Sequence, residues 1–300
     1  MVLTRLVRPE GGSGKQGCLN DQDEGRADGF PNMLKFKLQD AESLLIVAGA
    51  GMGVDSGLPD FRGTTGFWRA YPALAKAGID FEQMATPASL DRDPRLGWGF
   101  YGHRLGLYRD TLPHDGFKAL HRLVEHVQGK AFVVTSNVDG QFQKAGFDPD
   151  AINEDHGSIH MLQCTTPCSQ NLWSADGLVP EVDEQACQWL SDLPRCPRCG
   201  ALARPNILMF ADNRWVERRQ LVQEGRQKQW LSQVRSPLIL ELGAGTSIGS
   251  MRSLSERLAV EKGGYLIRVN PREHQIPERA PGIGLALGAR EALHQLVSYL

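Results

Sequence analysis

The chain has 300 residues, 41% of them hydrophobic, and a formal net charge of -2. A balance this close to neutral argues against a nucleic-acid partner, which requires a basic surface. No apolar run approaches the ~20 residues that cross a bilayer, and the first ten residues lack the apolar core of a signal peptide. We therefore expect a globular, cytoplasmic chain with no membrane partner.

The N-terminal region precedes the first element that a pattern identifies. Residues 1–33 are rich in Gly, Asp, Glu, Gln and Arg and show neither a helical nor a strand period, which predicts a disordered leader. A short helical turn is expected over residues 34–42. The four large apolar residues at 44–47 then predict a strand that is buried on both faces in a parallel sheet.

A glycine-rich loop follows this strand. Gly49 and Gly51 are separated only by Ala50, so the backbone can turn sharply and approach a ligand without Cβ atoms in the way. The amides of such a loop can cradle phosphate groups. The glycine pattern alone is equally consistent with a tight turn between a strand and a helix.

The residues after the loop favour a cofactor site, because Asp60, Phe61 and Arg62 add a carboxylate, a ring and a guanidinium that a structural turn does not need. This stretch resembles the first motif of the sirtuin family, the NAD-dependent protein deacylases, which reads approximately G-A-G-x-S-x-x-S-G-I-P-D-F-R. The matching positions are Gly49, Ala50, Gly51, Ser56, Gly57, Pro59, Asp60, Phe61 and Arg62. Gly53 stands where the family usually has serine. The resemblance implies that Gly49, Ala50, Gly51, Asp60, Phe61 and Arg62 bind NAD.

An aromatic-rich stretch, broken by prolines, predicts an inserted helical subdomain over residues 67–110. Tyr101 and Arg104 are three residues apart, which places them on one face of a helix, although this spacing is common by chance. In the sirtuin family, a Tyr-x-x-Arg pair in this insert marks members that prefer acidic acyl chains such as succinyl and malonyl. The resemblance implies that both residues bind substrate. The alternative is that Tyr101 belongs to the core and Arg104 is a solvated surface charge.

Polar residues follow the next predicted strand. An amphipathic helix is expected over residues 114–128 and a buried strand over 131–134, which ends at the polar residues Ser136, Asn137 and Asp139. Open α/β sheets bind ligands at the carboxyl ends of their strands. The segment resembles the sirtuin motif T-Q-N-I-D, which lines the nicotinamide pocket, with Ser136 in place of glutamine. These three residues are therefore expected to bind the cofactor.

His156 is the candidate general base. A lone histidine is usually structural or exposed, but Gly157 and Ser158 follow it, and the segment resembles the sirtuin H-G-S motif. An imidazole, with an unperturbed pKa of about 6.5, can accept a proton near neutral pH. The resemblance implies that His156 and Asn137 are catalytic.

Four of the six cysteines form two close pairs, Cys164 with Cys168 and Cys196 with Cys199. Six cysteines in so long a chain are too few for a disulfide scaffold, whereas two close pairs suit a tetrahedral, structural zinc site. The first pair is one residue wider than the usual sirtuin C-x-x-C. The alternative is a set of coincidental free thiols.

The C-terminal third carries three further segments that resemble sirtuin motifs. Residues 204–212 resemble R-P-x-V-V-x-F-G-E, which pairs by its backbone with the substrate peptide and so implies substrate binding by Ile207, Leu208 and Phe210.

A surface helix is expected over 213–235. Strands are predicted over 237–242, 265–270 and 283–287, with a closing helix over 291–300. Gly245, Thr246 and Ser247 resemble the cofactor-contacting G-T-S loop, and Asn270 resembles the asparagine near the adenosine ribose.

The alternation of strands and helices predicts a doubly wound parallel sheet, Rossmann-like, with a smaller domain. The larger domain is expected to comprise 34–66, 111–160 and 205–300, and the smaller one the helical insert 67–110 and a zinc-ribbon module 161–204. NAD is expected in the cleft between them. A monomer is expected.

The resemblance implies an NAD-dependent protein-lysine deacylase that transfers the acyl group to ADP-ribose and releases nicotinamide, with an acyl-lysine protein as substrate. A sirtuin-like mono-ADP-ribosyltransferase or NAD hydrolase is the enzymatic alternative, because both reactions share the first bond cleavage. An NAD-sensing or zinc-ribbon binding module is the non-enzymatic alternative.

Overall fold

The computed structural model describes residues 32–59 and 64–300. Residues 1–31 of the predicted leader lie outside these ranges, and so do Asp60, Phe61 and Arg62 of the predicted cofactor site. The first helix begins at Asn32.

Eleven strands lie within the described part of the chain. They are β1 (Leu44–Ala48), β2 (Ala131–Thr135), β3 (Ile152–Glu154), β4 (Gly157–Cys164), β5 (Trp173–Ser174), β6 (Val182–Asp183), β7 (Gln188–Trp189), β8 (Ala203–Ile207), β9 (Leu238–Leu242), β10 (Tyr265–Val269) and β11 (Gly282–Leu285). Six of them form one parallel sheet in the order β11-β10-β9-β1-β2-β3. The chain proceeds from β1 to one side and from β9 to the other, so the sheet has its topological switch point between these two strands.

The same ranges contain twelve α-helices and one 3₁₀ helix (Pro149–Ala151). The α-helices are α1 (Asn32–Gln39), α2 (Gly51–Val54), α3 (Thr64–Ala70), α4 (Pro72–Lys76), α5 (Phe81–Met84), α6 (Pro87–Arg92), α7 (Pro94–Asp110), α8 (Gly116–His126), α9 (Gln141–Lys144), α10 (Arg218–Gln233), α11 (Ser250–Glu261) and α12 (Ala289–Val297). No helix in these ranges is both long and apolar enough to span a membrane.

The parallel sheet is buried because its strands are almost wholly apolar. All five residues of β1 are buried, as are all five of β9. On one face, Leu45, Val47 and Ile239 pack with Met251 and Leu258 of α11. Helices α8 and α12 pack against each other and bury their apolar faces.

A second core joins the helical insert to the cysteine-containing segment. Trp98 and Phe100 of α7 are fully buried together with Trp189 of β7, and the Trp98 indole donates a hydrogen bond to the Ala203 carbonyl at 2.9 Å. A Cβ on Gly99 would lie 2.1 Å from the carbonyl oxygen of Cys187, so glycine is required for this contact. The parallel sheet, this second core and the four cysteines of the two predicted pairs, whose sulfur atoms lie within 4.8 Å of one another, confirm the predicted fold class.

Helix α10 packs on β3 through polar side chains. Gln223 and Gln227 are buried on α10, whereas Leu221 is 49% exposed. The Asn153 amide donates to Gln227 Oε1 at 2.7 Å, and the Glu154 backbone N–H donates to Gln223 Oε1 at 3.1 Å. Apolar periodicity therefore does not identify the buried face of this helix.

Candidate active site

The glycine loop meets the loop after β9 at the switch point of the sheet. The Gly49 amide donates to the Leu242 carbonyl at 2.9 Å, and the Gly51 amide donates to the Gly243 carbonyl at 3.0 Å. A Cβ on Gly49 would lie 2.7 Å from Ala244 Cα, and one on Gly51 would lie 2.6 Å from Gly243 Cα. Glycine is required here because two backbone segments touch, a reason that differs from the ligand approach expected from the sequence.

A cavity of about 250 Å³ opens beside this loop, at the carboxyl ends of β1 and β2. It brings together residues that are far apart in the chain. Among the predicted site residues, its lining includes Ala50, Tyr101, Arg104, Ser136, Asn137, Asp139, His156, Ile207, Leu208 and Phe210. One concave surface therefore collects the predicted catalytic residues, the predicted substrate-binding residues and part of the predicted cofactor-binding set.

The polar residues after β2 are fixed by hydrogen bonds. The Asn137 side-chain amide donates to the Gly49 carbonyl at 2.9 Å and so connects this edge of the sheet to the glycine loop. Ser136 and Asp139 are buried. Burial raises the pKa of the Asp139 carboxyl to about 6, although the Gln141 amide donates to it at 2.9 Å.

His156 lies in the turn between β3 and β4. Its carbonyl accepts a hydrogen bond from the Leu208 amide at 2.9 Å, which holds the segment after β8 against the turn. The amides of Met209 and Phe210 also donate within the chain, to the Asp212 carboxylate and the Ala85 carbonyl. A peptide that pairs with this segment would thus meet three amides that already have acceptors.

Tyr101 and Arg104 lie on the same face of α7 and line the cavity. Arg104 is only 7% exposed, so the alternative that it is a solvated surface charge is wrong. Tyr101 is fully buried, which raises its pKa to about 12, and its hydroxyl has no hydrogen-bond partner among the described residues. Tyr101 therefore belongs both to the core and to the cavity wall.

Tyr108 is a cavity residue that the sequence analysis missed. The Nε and one terminal nitrogen of Arg104 donate to its hydroxyl at 3.1 and 2.8 Å. The guanidinium also lies 5.2 to 5.9 Å from the ring centroids of Phe81, Phe100, Tyr101 and Tyr108. The spacing of four residues between Arg104 and Tyr108 is the signal that could have revealed this contact.

A second cavity of about 290 Å³ adjoins the first, since Ala50 lines both. Its lining also includes Gly51, Gly245 and Asn270 of the predicted cofactor site. The Asn270 side-chain amide donates to the Ala244 carbonyl at 3.1 Å, which fixes its position. The two cavities together form a cleft along the carboxyl edge of the sheet.

Thr246 and Ser247 are exposed and lie outside the lining of both cavities. The amide and hydroxyl of Thr246 donate to the Glu273 carboxylate, and this hydroxyl hydrogen bond lowers the pKa of Glu273. These two predicted residues thus lie at the rim of the second cavity.

The four predicted metal ligands converge. The sulfur atoms of Cys164, Cys168, Cys196 and Cys199 all lie within 4.8 Å of one another, and none of the four is in a disulfide. The Cys164–Cys199 and Cys168–Cys196 sulfur distances are 3.6 and 3.7 Å. Four sulfurs bound tetrahedrally at ~2.3 Å from one ion would be about 3.8 Å apart. The cluster could therefore hold a metal ion.

Comparison with known proteins identifies relatives of this chain. The chain matches the family described as the Sir2 family over residues 49–234. It is 31% identical to an NAD-dependent protein deacylase of Thermococcus kodakarensis, over 77% of this chain and 80% of the relative. It is 29% identical to NAD-dependent protein deacylase 1 of Caldanaerobacter subterraneus subsp. tengcongensis, over 83% of this chain and 90% of the relative.

Solved structures show the same fold. The crystal structure of a Sir2 homolog–NAD complex superposes with a TM-score of 0.70 at 24% identity and covers 90% of this chain and 93% of that chain. A Sir2 complex with a deacetylated p53 peptide and 3'-O-acetyl ADP-ribose superposes with a TM-score of 0.65 at 21% identity, over 89% and 96% of the two chains. At these identities the likeness extends to the fold alone.

Proposed function

This chain belongs to the Sir2 family, and from that premise we propose that it is an NAD-dependent deacylase of lysine side chains in proteins. The observation that carries the proposal is the lining of one cavity, in which His156, Asn137 and Asp139 meet the glycine loop at Ala50. Open α/β sheets bind nucleotides at this edge. A binding module without catalysis would not need a histidine in that wall.

We assign the residues along the cleft to two ends. The cofactor would be held by the glycine loop, by the residues after β2 and by the loops after β9 and β10. The set is Gly49, Ala50, Gly51, Asp60, Phe61, Arg62, Ser136, Asn137, Asp139, Gly245, Thr246, Ser247 and Asn270. The acyl-lysine would contact Tyr101, Arg104, Ile207, Leu208 and Phe210 at the opposite end.

Each of the cleft residues would have a separate role in the reaction. NAD, when bound, supplies a ribose carbon that the acyl oxygen attacks as nicotinamide leaves. Asn137 and Asp139 would hold the nicotinamide end, and Asn137 is already oriented by its bond to Gly49. His156 would accept the proton of a ribose hydroxyl on its ring. Leu208 and Phe210 would exclude water from the acyl chain.

We further propose that the acyl group is acidic, such as succinyl or malonyl. A carboxylate can accept hydrogen bonds from the Tyr101 hydroxyl, which lacks a partner among the described residues, and from the buried Arg104. Because Arg104 already donates to Tyr108, a neutral acetyl group would leave Tyr101, and not the guanidinium, without an acceptor. An unsatisfied buried group costs about 1–3 kcal/mol, which corresponds to a roughly 5- to 150-fold preference.

Zinc is the metal that we propose for the cysteine cluster, because four thiolates in a tetrahedral arrangement are typical of zinc sites. Four thiolates leave no open position for catalysis, so we propose a structural role. We also propose the domain division expected from the sequence: 34–66, 111–160 and 205–300 in the larger domain, with 67–110 and 161–204 in the smaller. The second core supports the smaller domain where it joins Trp98 of α7 to Trp189 of β7, and it also includes Val138 and Ile207 of the larger domain.

The proposal can be tested by mass spectrometry of the NAD-derived products formed with succinyl-, malonyl- and acetyl-lysine versions of one peptide. Acyl-ADP-ribose is the expected product. ADP-ribosylated protein, or free ADP-ribose without loss of the acyl group, would contradict the deacylase assignment in favour of the transferase or hydrolase alternative.

The acyl preference requires a variant. Arg104→Met removes the cation that would bind the acyl carboxylate, and a hydrogen bond to a charged group contributes about 1.5–3 kcal/mol, so the ratio of kcat/KM for succinyl-lysine over acetyl-lysine should fall by roughly 10- to 150-fold. Arg109→Met is the matched control, because Arg109 lies on the same helix but donates to the carbonyls of Leu178 and Ala175. An unchanged ratio in Arg104→Met, or a wild type that prefers acetyl-lysine, would rule out the acidic acyl group.

A further inference from the structure

Asp155 and His156 are consecutive residues that face two different cavities. His156 lines the cavity that holds the proposed acyl and nicotinamide sites. Asp155 lines a separate cavity of about 300 Å³ beside α10 and α11. The Oδ2 atom of Asp155 lies 3.8 Å from Nε2 of His156. The turn between β3 and β4 therefore places a carboxylate behind the proposed base.

The backbone of both residues is held by neighbouring strands. The Asp155 amide donates to the Thr135 carbonyl of β2 at 2.8 Å, and the His156 carbonyl accepts from the Leu208 amide at 2.9 Å. The imidazole is 19% exposed and the carboxylate 33%. Because the turn is anchored on both sides and largely shielded, the two side chains are held close together.

The two cations that share the cavity of Asp155 are each paired with another carboxylate. Across its cavity Asp155 faces Glu224 and Lys228 of α10 and Arg257 of α11. Glu224 is paired with Lys228 at 2.7 Å, and Arg257 with Glu261 at 3.6 Å. On the other side, His156 shares its cavity with Asp139, Arg104, Tyr101 and Tyr108. Burial raises the pKa of Asp155, and His156 acts in the opposite direction.

We propose that Asp155 is a positioning residue that stabilises the protonated imidazole of His156 through Nε2. This inference rests on the proposed role of His156 as the base. When His156 accepts the proton, the O–H bond of the ribose hydroxyl breaks and an N–H bond forms on the ring. The positive charge that appears there is stabilised by the carboxylate at 3.8 Å.

Two opposite effects follow from this arrangement. A stabilised imidazolium makes His156 a stronger base, which raises the rate where the ring is neutral. It also keeps the ring protonated up to a higher pH, so activity begins at a higher pH. Removal of the carboxylate should therefore lower the alkaline plateau of kcat/KM and move the midpoint of its acidic limb downward. A merely structural defect would lower the plateau without moving the midpoint.

The kinetic test is the pH profile of kcat/KM for wild type, Asp155→Asn and Asp155→Glu. Asp155→Asn should move the acidic midpoint down by about one pH unit. Asp155→Glu keeps a carboxylate, so its midpoint should lie close to the wild-type value. Asp150→Asn is the control, since Asp150 is an exposed carboxylate paired with Arg226 at 3.1 Å. It should leave the profile unchanged.

An NMR titration of the His156 ring provides a readout that does not depend on activity. Its resonance is assigned by its loss in His156→Ala, and its midpoint should fall by about one unit in Asp155→Asn. An unchanged NMR midpoint would overturn the inference and leave the role of His156 to be decided by the activity of His156→Ala. A shifted NMR midpoint with an unchanged kinetic midpoint would show that His156 is not the base. That result would overturn the proposed role of His156 as the base and the proposed role of Asp155 in positioning it.

Discussion

The two ends of the cleft are built from different kinds of atoms. At the proposed cofactor end, the glycine loop and the loop after β9 touch through their backbones, and the side chains of Asn137 and Asn270 donate to carbonyls of these loops. At the proposed acyl end, the wall consists of side chains, with Arg104 enclosed by four aromatic rings. One end depends on backbone geometry, and the other depends on side-chain chemistry.

This difference indicates how each end can change. A backbone-to-backbone contact leaves no space for a Cβ atom, so substitution at the cofactor end should damage stability and binding together. A side chain in the acyl wall can be replaced while the fold remains, so substitution there should alter selectivity. Substitutions can test this contrast, first at His156, which lies where the two ends meet.

His156→Ala should lower turnover by about 10²- to 10⁴-fold while NAD still binds, because it removes the proposed base without touching the glycine loop. Steady-state deacylation and calorimetric NAD titration would measure the two effects. Full deacylation by this variant would refute the assignment of the base.

Cys196→Ser should abolish stoichiometric zinc and lower the stability of the fold by several kcal/mol, since metal binding is coupled to folding. Metal analysis and thermal unfolding would measure this. Cys187→Ser is the control for metal content, because Cys187 is buried outside the cluster. Folded, active wild-type protein without zinc would contradict the prediction.

Gly51→Ala should destabilise the fold by about 3 kcal/mol and weaken NAD binding, because the new Cβ would meet Gly243 Cα at 2.6 Å. Gly225→Ala, in the middle of α10 with no atom near its Cβ position, should instead stabilise the fold by roughly 0.5–1 kcal/mol. Chemical denaturation of both variants would measure the difference. Equal stability of the two would contradict the tight backbone contact between Gly51 and Gly243 on which one side of the contrast rests.

Asp139→Asn should stabilise the free protein at neutral pH by roughly 3 kcal/mol. The pKa of Asp139 is raised to about 6 in the folded chain, so the folded state binds more protons than the unfolded state between about pH 4 and pH 6. Wild-type stability therefore falls as pH rises through this window, while the asparagine variant avoids the loss. Unfolding free energies of both proteins from pH 4 to 7.5 should diverge with pH, and parallel curves would contradict the shift.

The sequence by itself determined five of the six strands in the parallel sheet, all but the short strand β3, and it indicated the convergence of the four cysteines. It also indicated which polar residues follow the strands. The predictions of the strands and of the polar residues after them rest on local patterns: a run such as 44–47 is apolar enough to require burial on both faces, and a residue just after it must lie at the carboxyl edge of the sheet. The assignment of the remaining site residues stays a prediction of the sequence, and Asp60, Phe61 and Arg62 lie outside the described residues.

Only the tertiary structure decided which atoms meet across the chain. The contact of Gly51 with Gly243, the polar buried face of α10 and the distance between Asp155 and His156 have no local signature. Arg104 could be a surface charge by its sequence, but the packing of α7 encloses it and gives it Tyr108 as an acceptor. Burial and partner choice arise from packing between distant segments, and these determine which side chains are desolvated and which charges interact.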